Sequence, residues 1–213
     1  MFKYREIPRY YMLLQKPDRE RGIKKERILR VLLNHADGDL TKYRIAKVVD
    51  ASEPWALEYT KRLEEGGLIA DTTVLNPWAL YEEWQDIRVT PNQLSVSLQQ
   101  PMELLEETDL DYALTTYQAE TLVQGFLFPS TTDFYIQPEQ AEKWTKIIEN
   151  KGLLGGGNTR VRVIDDHVFY KAAQRDSHTV VSTPQLIVDL LAEGGPCAEA
   201  ADRLIESFHH PVV

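Results

Sequence analysis

The sequence predicts an α+β fold in two parts, and three observations predict it. Three short helical patterns, separated by tight turns, crowd into residues 18–67. Candidate strands then alternate with helices from about residue 88 onward. The charge divides in the same way: residues 1–70 hold 15 Lys and Arg against 11 Asp and Glu, while residues 71–213 hold 9 against 22. A modestly basic front and a strongly acidic back point to two modules with different partners, which the whole-chain net charge of −9 conceals.

The first helix is expected from Asp18 to Leu33. Ile28, Leu29, Leu32 and Leu33 form one apolar stripe, and Arg21, Lys24, Lys25, Arg27 and Arg30 cover the other faces. Turn residues follow in HADGD (35–39), and Thr41 is placed to cap a second, two-turn helix with Ile45, Ala46, Val48 and Val49 on its buried side. Ser52 as N-cap and Pro54 in the first turn open a third helix, which Gly66 and Gly67 close. LIADTTVLN then reads as a small hairpin. This is a winged helix-turn-helix plan, with small Ala46 at the helix crossing and Ile45, Val49, Ala56, Tyr59 and Leu63 turned inward. The usual turn glycine is replaced by Asp50 or Ala51, and Asp tolerates left-handed backbone angles well. A connecting helix is expected at 77–85, burying Trp78, Tyr81 and Trp84.

Beyond it, strands are expected at 94–98, 132–137, 159–165 and 179–182, with helices at 101–107, 115–124, 138–150, 184–192 and 197–208. The domain plan is therefore an N-terminal arm at 1–17, a winged helix at 18–75, a connecting helix at 76–87 and a mixed α/β domain at 88–213. With 43% hydrophobic and 27% charged residues, disordered and fibrous classes are excluded. No apolar run approaches the roughly 18 residues of a membrane span, and the N-terminus has no apolar core of a secretory signal. A cytoplasmic location and no membrane partner are expected. The lone Cys197 forms no internal disulfide.

Candidate functional residues cluster in the front. On the third helix, Pro54, Trp55, Glu58, Lys61, Arg62 and Glu65 point away from the core. Arg62 and Lys61 suit guanine or phosphate, Glu58 suits cytosine N4, and Trp55 suits a thymine methyl or a sugar. Ser52 sits at the start of the same helix. Lys42, Arg44 and Lys47 on the second helix, with Lys24, Lys25 and Arg27 on the first, suit phosphates. Lys3, Arg5 and Arg9 of the arm are placed to reach an adjacent groove or a partner chain. Against this, Glu53, Glu64 and Glu65 repel a backbone, and the hairpin turn carries Asp71, Thr72 and Thr73 without a cation.

The second half offers little catalytic chemistry. Cys197 opens a helix whose dipole lowers a thiol pKa, but His209 and His210 lie three turns away. Asp165, Asp166 and His167 form a strand-end cluster readable as a divalent-ion site or as a turn. Asp133 lacks the acid-x-Lys strand of a restriction-type nuclease, and GLLGGGN (152–158) lacks the residues of a phosphate loop and reads as a flexible turn. No enzyme, cofactor or metal is expected.

Residues 111–137, 158–166 and 180–206 resemble the AbiEi-type family of transcriptional regulators and antitoxins of type IV toxin–antitoxin systems. The resemblance rests on Tyr112, Ala113, Leu114 and Thr115 opening a helix, on Phe134, Tyr135 and Ile136 in a strand, and on Pro184, Gln185, Leu186, Asp189 and Leu190 in a helix. It implies a repressor that binds double-stranded DNA near its own promoter, with a second domain that supports cooperative binding or neutralises a toxin. The acidic balance of 71–213 fits a toxin or other protein partner with a basic surface, or keeps this half off DNA, and a homodimer is a further expected partner. At Gly195, Pro196 and Cys197 the chain departs from the Gly-Arg-Gly-like turn of such relatives. Two other readings stay open: an interaction or dimerisation module whose winged helix does not read DNA, and an enzyme using the second domain.

Overall fold

The computed structural model describes residues 14–18 and 22–209. The expected arm contacts at Lys3, Arg5 and Arg9 lie outside these residues, as do Arg21 and His210.

The first helix, α1 (Ile23–Asn34), begins five residues later than its pattern predicts. Gly22, at φ +107°, precedes it and packs its backbone against the Ile87 carbonyl, so close that any side chain there would clash. α1 buries more than an apolar stripe: Glu26 and Arg30 are as covered as Ile28, Leu29 and Leu32. In α2 (Lys42–Val48) the Thr41 hydroxyl caps the helix by accepting from the Arg44 N–H at 3.2 Å. α3 (Glu53–Glu65) starts after Ser52, which occupies the N-cap position without a side-chain capping bond, and carries Pro54 in its first turn. β1 (Ile69–Ala70) and β2 (Thr73–Val74) pair antiparallel as the expected hairpin. α4 (Pro77–Ile87), capped by Asn76 through the Ala79 N–H, buries Tyr81 and Trp84, while Trp78 in its first turn stays 38% exposed.

The rest is a seven-stranded mixed sheet with helices between its strands. The strands are β3 (Asn92–Leu98), β4 (Tyr112–Thr115), β5 (Thr132–Ile136), β6 (Gly152–Leu154), β7 (Thr159–Val163), β8 (Ala173–Arg175) and β9 (His178–Val180), in spatial order β6-β3-β7-β5-β4-β9-β8. The helices are α5 (Pro101–Glu107), α6 (Thr116–Val123), α7 (Ala141–Lys151), α8 (Thr183–Glu193) and α9 (Pro196–His209). Three strands correct the sequence reading. Tyr112–Thr115 is a strand rather than the opening of a helix, which begins only at Thr116. Part of the glycine-dense GLLGGGN pairs with β3, and β8 closes the far edge.

Central strand β5 is covered on both faces, so its alternation separates two environments. Phe134 lies 5.1 Å from Trp144 of α7, in an apolar layer. Tyr135 and Asp133 point the other way, where Arg160 and Arg162 of β7 and Thr115 of β4 lie in register with them. That second layer is polar, and α8 closes it. The fully buried Asp189 carboxylate of α8 accepts from Arg88 at 2.8 Å, Thr115 Oγ1 at 2.7 Å, Tyr135 OH at 3.0 Å and Gln185 Nε2 at 3.2 Å. Burial alone raises a carboxyl pKa; here Arg88 and Arg162 outweigh it and hold Asp189 below its ordinary value. Asp133, also buried, is held by Thr116, Arg160 and Arg162.

The hydrophobic core is continuous, running from Leu14 and α1 through the sheet to α9. Asp189→Asn keeps the shape but removes the charge that Arg88 faces, so it is expected to cost about 3–5 kcal/mol. Urea denaturation followed by tryptophan fluorescence and by far-UV circular dichroism checks this. Both probes are expected to report one coincident transition in wild type and variant, because no apolar boundary separates α1 from the sheet. Two separate transitions would show that the halves unfold independently.

Candidate nucleic-acid interface

The candidate surface is built by α2, α3 and the turn between them. Val49 and Ala51 close the α2 end by backbone bonds to Ile45 and Ala46, and between them Asp50 takes φ +53°. The left-handed residue expected at this turn is thus Asp50. Ile45, Ala46, Val49, Ala56, Tyr59 and Leu63 are all buried, as their spacing predicts. Pro54, Glu58, Lys61, Arg62 and Glu65 are exposed on the opposite side of α3, and Ser52 is exposed before it. Trp55 departs from this pattern: it is half-buried and stacks on Tyr59 at 5.9 Å.

The charges are more engaged than the sequence reading assumed. Arg62 pairs with Glu58, and Lys61 with Glu65 at 3.6 Å, each across one helical turn. These are exposed pairs, worth little to stability and readily exchanged. Lys42 is diverted inward, 2.7 Å from Glu64 and 3.4 Å from Asp71 of the hairpin, so it braces the hairpin instead of facing outward. Arg44 and Lys47 remain on the exposed face of α2, where the Lys47 ammonium lies 5.5 Å from the ring of Tyr43. Tyr43, 55% exposed, was missed in the sequence. Its neighbour four residues on, Lys47, was the available signal.

The basic face of α1 turns to the second half of the chain instead of to solvent. Arg27 Nε donates to Asp165 at 2.8 Å and Nη2 to Asp166 at 3.1 Å. Arg30, buried, donates to Gln185 Oε1 at 2.8 Å, meets His167 Nδ1 at 2.9 Å, and lies 5.3 Å from the Trp84 ring. Asn34 reaches Ser182 at 3.2 Å. Residues 27, 30 and 34 form one helical stripe, so α1 is fastened along its length to the turn that follows β7, to Ser182 and to α8. Lys25 covers the Tyr59 ring at 5.3 Å; of the first-helix phosphate candidates, Lys24 is the exposed one.

The Asp165–Asp166–His167 cluster is therefore the acceptor side of this seam, and its metal reading gives way to the guanidinium groups that occupy it. Among the described residues no group of three or more His, Cys, Asp and Glu is arranged to hold a metal ion. Cys197 opens α9 as expected, but burial pushes its thiol up instead of down, and it lies against Tyr117. Asp133 is an ion-pair partner inside the polar layer. Among the described residues no helix is long and apolar enough to cross a membrane. No family model, curated protein or solved structure matches this chain.

Because a guanidinium is always a donor, His167 Nδ1 must accept from Arg30, so the ring is neutral in the folded state. Burial, then the charges of Arg30 and Arg27, push its pKa down to about 3. The unfolded chain takes up this proton near pH 6.5. Stability from this group is thus complete above pH 6.5 and falls as the pH drops toward 3, by up to about 1.4 kcal/mol per pH unit. His167→Gln cannot titrate, so its stability is expected to fall less steeply than wild type between pH 6.5 and 5. Urea midpoints measured across that window decide it; parallel curves would remove His167 as the cause.

Proposed function

We propose that this protein is a DNA-binding transcriptional regulator whose α2–α3 pair is the helix-turn-helix and whose β1–β2 hairpin is the wing. The observation that carries the reading is the left-handed Asp50 turn, which sets α3 across α2 with Glu58, Lys61 and Arg62 outward. Arg44 and Lys47 on the neighbouring face of α2 supply the phosphate contacts that orient it. Arg62 and Lys61 exchange their glutamate partners for base edges or phosphates on binding. The resemblance to AbiEi-type proteins extends the proposal to an autoregulating antitoxin acting at its own promoter, in the cytoplasm, without a cofactor.

A second reading has its own support. The cations of α3 are already paired and the hairpin carries no cation of its own, its Asp71 being held by Lys42, which suits a protein-docking module better than an anion-binding one. Fluorescence anisotropy separates the two, using a labelled duplex from upstream of the gene and a scrambled duplex of equal length at several salt concentrations. The regulator reading expects tighter binding to the native duplex and a steep fall of log affinity with log salt. Arg62→Ala is expected to cost about 1–3 kcal/mol on the native duplex and to relax its preference over the scrambled one. Arg44→Ala is expected to weaken both duplexes alike. Absence of binding to either duplex at low salt would favour the docking module.

A further inference from the structure

The second half of the chain brings a cation, Lys171, to the α1–α2 connection. After β7, a single turn of 3-10 helix (Asp166–Phe169) is followed by a tight turn. In it the Tyr170 N–H donates to the His167 carbonyl and the Ala172 N–H to the Phe169 carbonyl, both at 3.0 Å. Tyr170 is held from two sides: its ring stacks on His167 at 5.0 Å and 15°, and its hydroxyl meets His35 Nε2 at 2.8 Å. His35 Nδ1 in turn lies 2.8 Å from Asp39, two residues before the Thr41 cap of α2. The turn tip, Lys171, is thereby fixed next to the α1–α2 connection, exposed and at φ +58°.

Charges on the two sides feel each other across this contact. The Asp39 carboxyl is held below its ordinary value by its hydrogen bond to His35 first, with Lys171 contributing from across the seam. Burial pushes the Tyr170 phenol up and Asp39 adds to that, while Arg44 of α2 pulls against both. Lys171 and Arg44 thus lie about the same Tyr170–Asp39 contact, with Lys47 three residues beyond Arg44 on α2, and Asp39 is already engaged by His35.

We propose that Lys171 joins Arg44 and Lys47 in a single phosphate-contacting ridge, so that duplex DNA is gripped by both halves of the chain. This inference rests on the reading of α2 and α3 as the DNA-binding pair. The seam gives it a physical reason: the backbone of a turn locked to the α1–α2 connection is already ordered, so only the lysine side chain has to be fixed when it meets a phosphate. A left-handed backbone at a lysine is unfavourable in itself, and glycine would sit there without strain.

The test uses the full-length chain with Lys171→Gly, Lys171→Glu and, as a charge control, Lys146→Glu on the exposed face of α7. Lys171→Gly removes the charge while relaxing the backbone, so a loss of affinity cannot be a loss of fold; thermal denaturation checks that it is at least as stable as wild type. The probes are the upstream duplex and its scrambled control. Lys171→Gly is expected to weaken both by the same factor, roughly 3- to 10-fold, and to lower the slope of log affinity against log salt by about 0.9. Lys171→Glu is expected to weaken both further. Wild-type slopes in the Lys171 variants would overturn the inference, as would an equal loss from Lys146→Glu, which would reduce the effect to net charge. Failure of the wild type to bind either duplex at low salt would instead overturn the DNA reading on which it stands.

Discussion

The structure depends on one buried carboxylate. Asp189 receives Arg88 from the segment after α4, Thr115 and Tyr135 from two adjacent strands, and Gln185 from its own helix. Gln185 then turns its carbonyl oxygen to Arg30 of α1. A polar layer beneath a helix is costly unless every member is satisfied, because each unpaired group in low dielectric forfeits its hydration. Here the layer balances three arginines, Arg88, Arg160 and Arg162, against Asp133, Asp189 and Glu193. The cost of burying these charges is offset only in the native arrangement. The network therefore selects one packing of α8 on the sheet, where an apolar layer would tolerate several.

Through Arg30 the same network reaches the front of the chain. α1 packs its apolar stripe against α2 and α4, and its polar stripe, Arg27, Arg30 and Asn34, against the turn after β7, Ser182 and α8. Glu26 completes the helix by accepting from the Trp84 indole at 2.9 Å and from the Val89 N–H. α1 is thus an internal element shared by both halves rather than the outer helix of a detachable module. The charge division of the sequence is real, but several of the cations that made the front basic neutralise acids of the back. Arg27 with Asp165 and Asp166 is the plainest case.

What could be read from the sequence was what depends on near neighbours. The Thr41 cap, the Pro54 turn, the Gly66–Gly67 stop and the inward set of α2 and α3 follow from spacing and backbone chemistry, and they appear as expected. β4 was misread because YALT is short and buried at every position, which leaves no alternation to separate a strand from the start of a helix. β6 and β8 are three residues each at sheet edges, too short to show a period. The glutamate partners of Lys61 and Arg62 were visible at i,i+4 spacing. The destinations of Arg27 and Arg30 were not, since their partners lie 137 to 155 residues away in the chain. Lys171 gave no local signal either; its position follows from the ring contacts of Tyr170.

That separation along the chain governs the order of events during synthesis. α1 is made before the residues that satisfy Arg27 and Arg30, which follow it by 137 to 155 residues. A nascent or prematurely terminated chain ending before α8 lacks Gln185, the carbonyl acceptor of the Arg30 guanidinium, although α2 and α4 are already there for the apolar stripe of α1. Local helix contacts form early, but the closing contact of this fold spans most of the molecule, which makes late steps slow and early ones reversible.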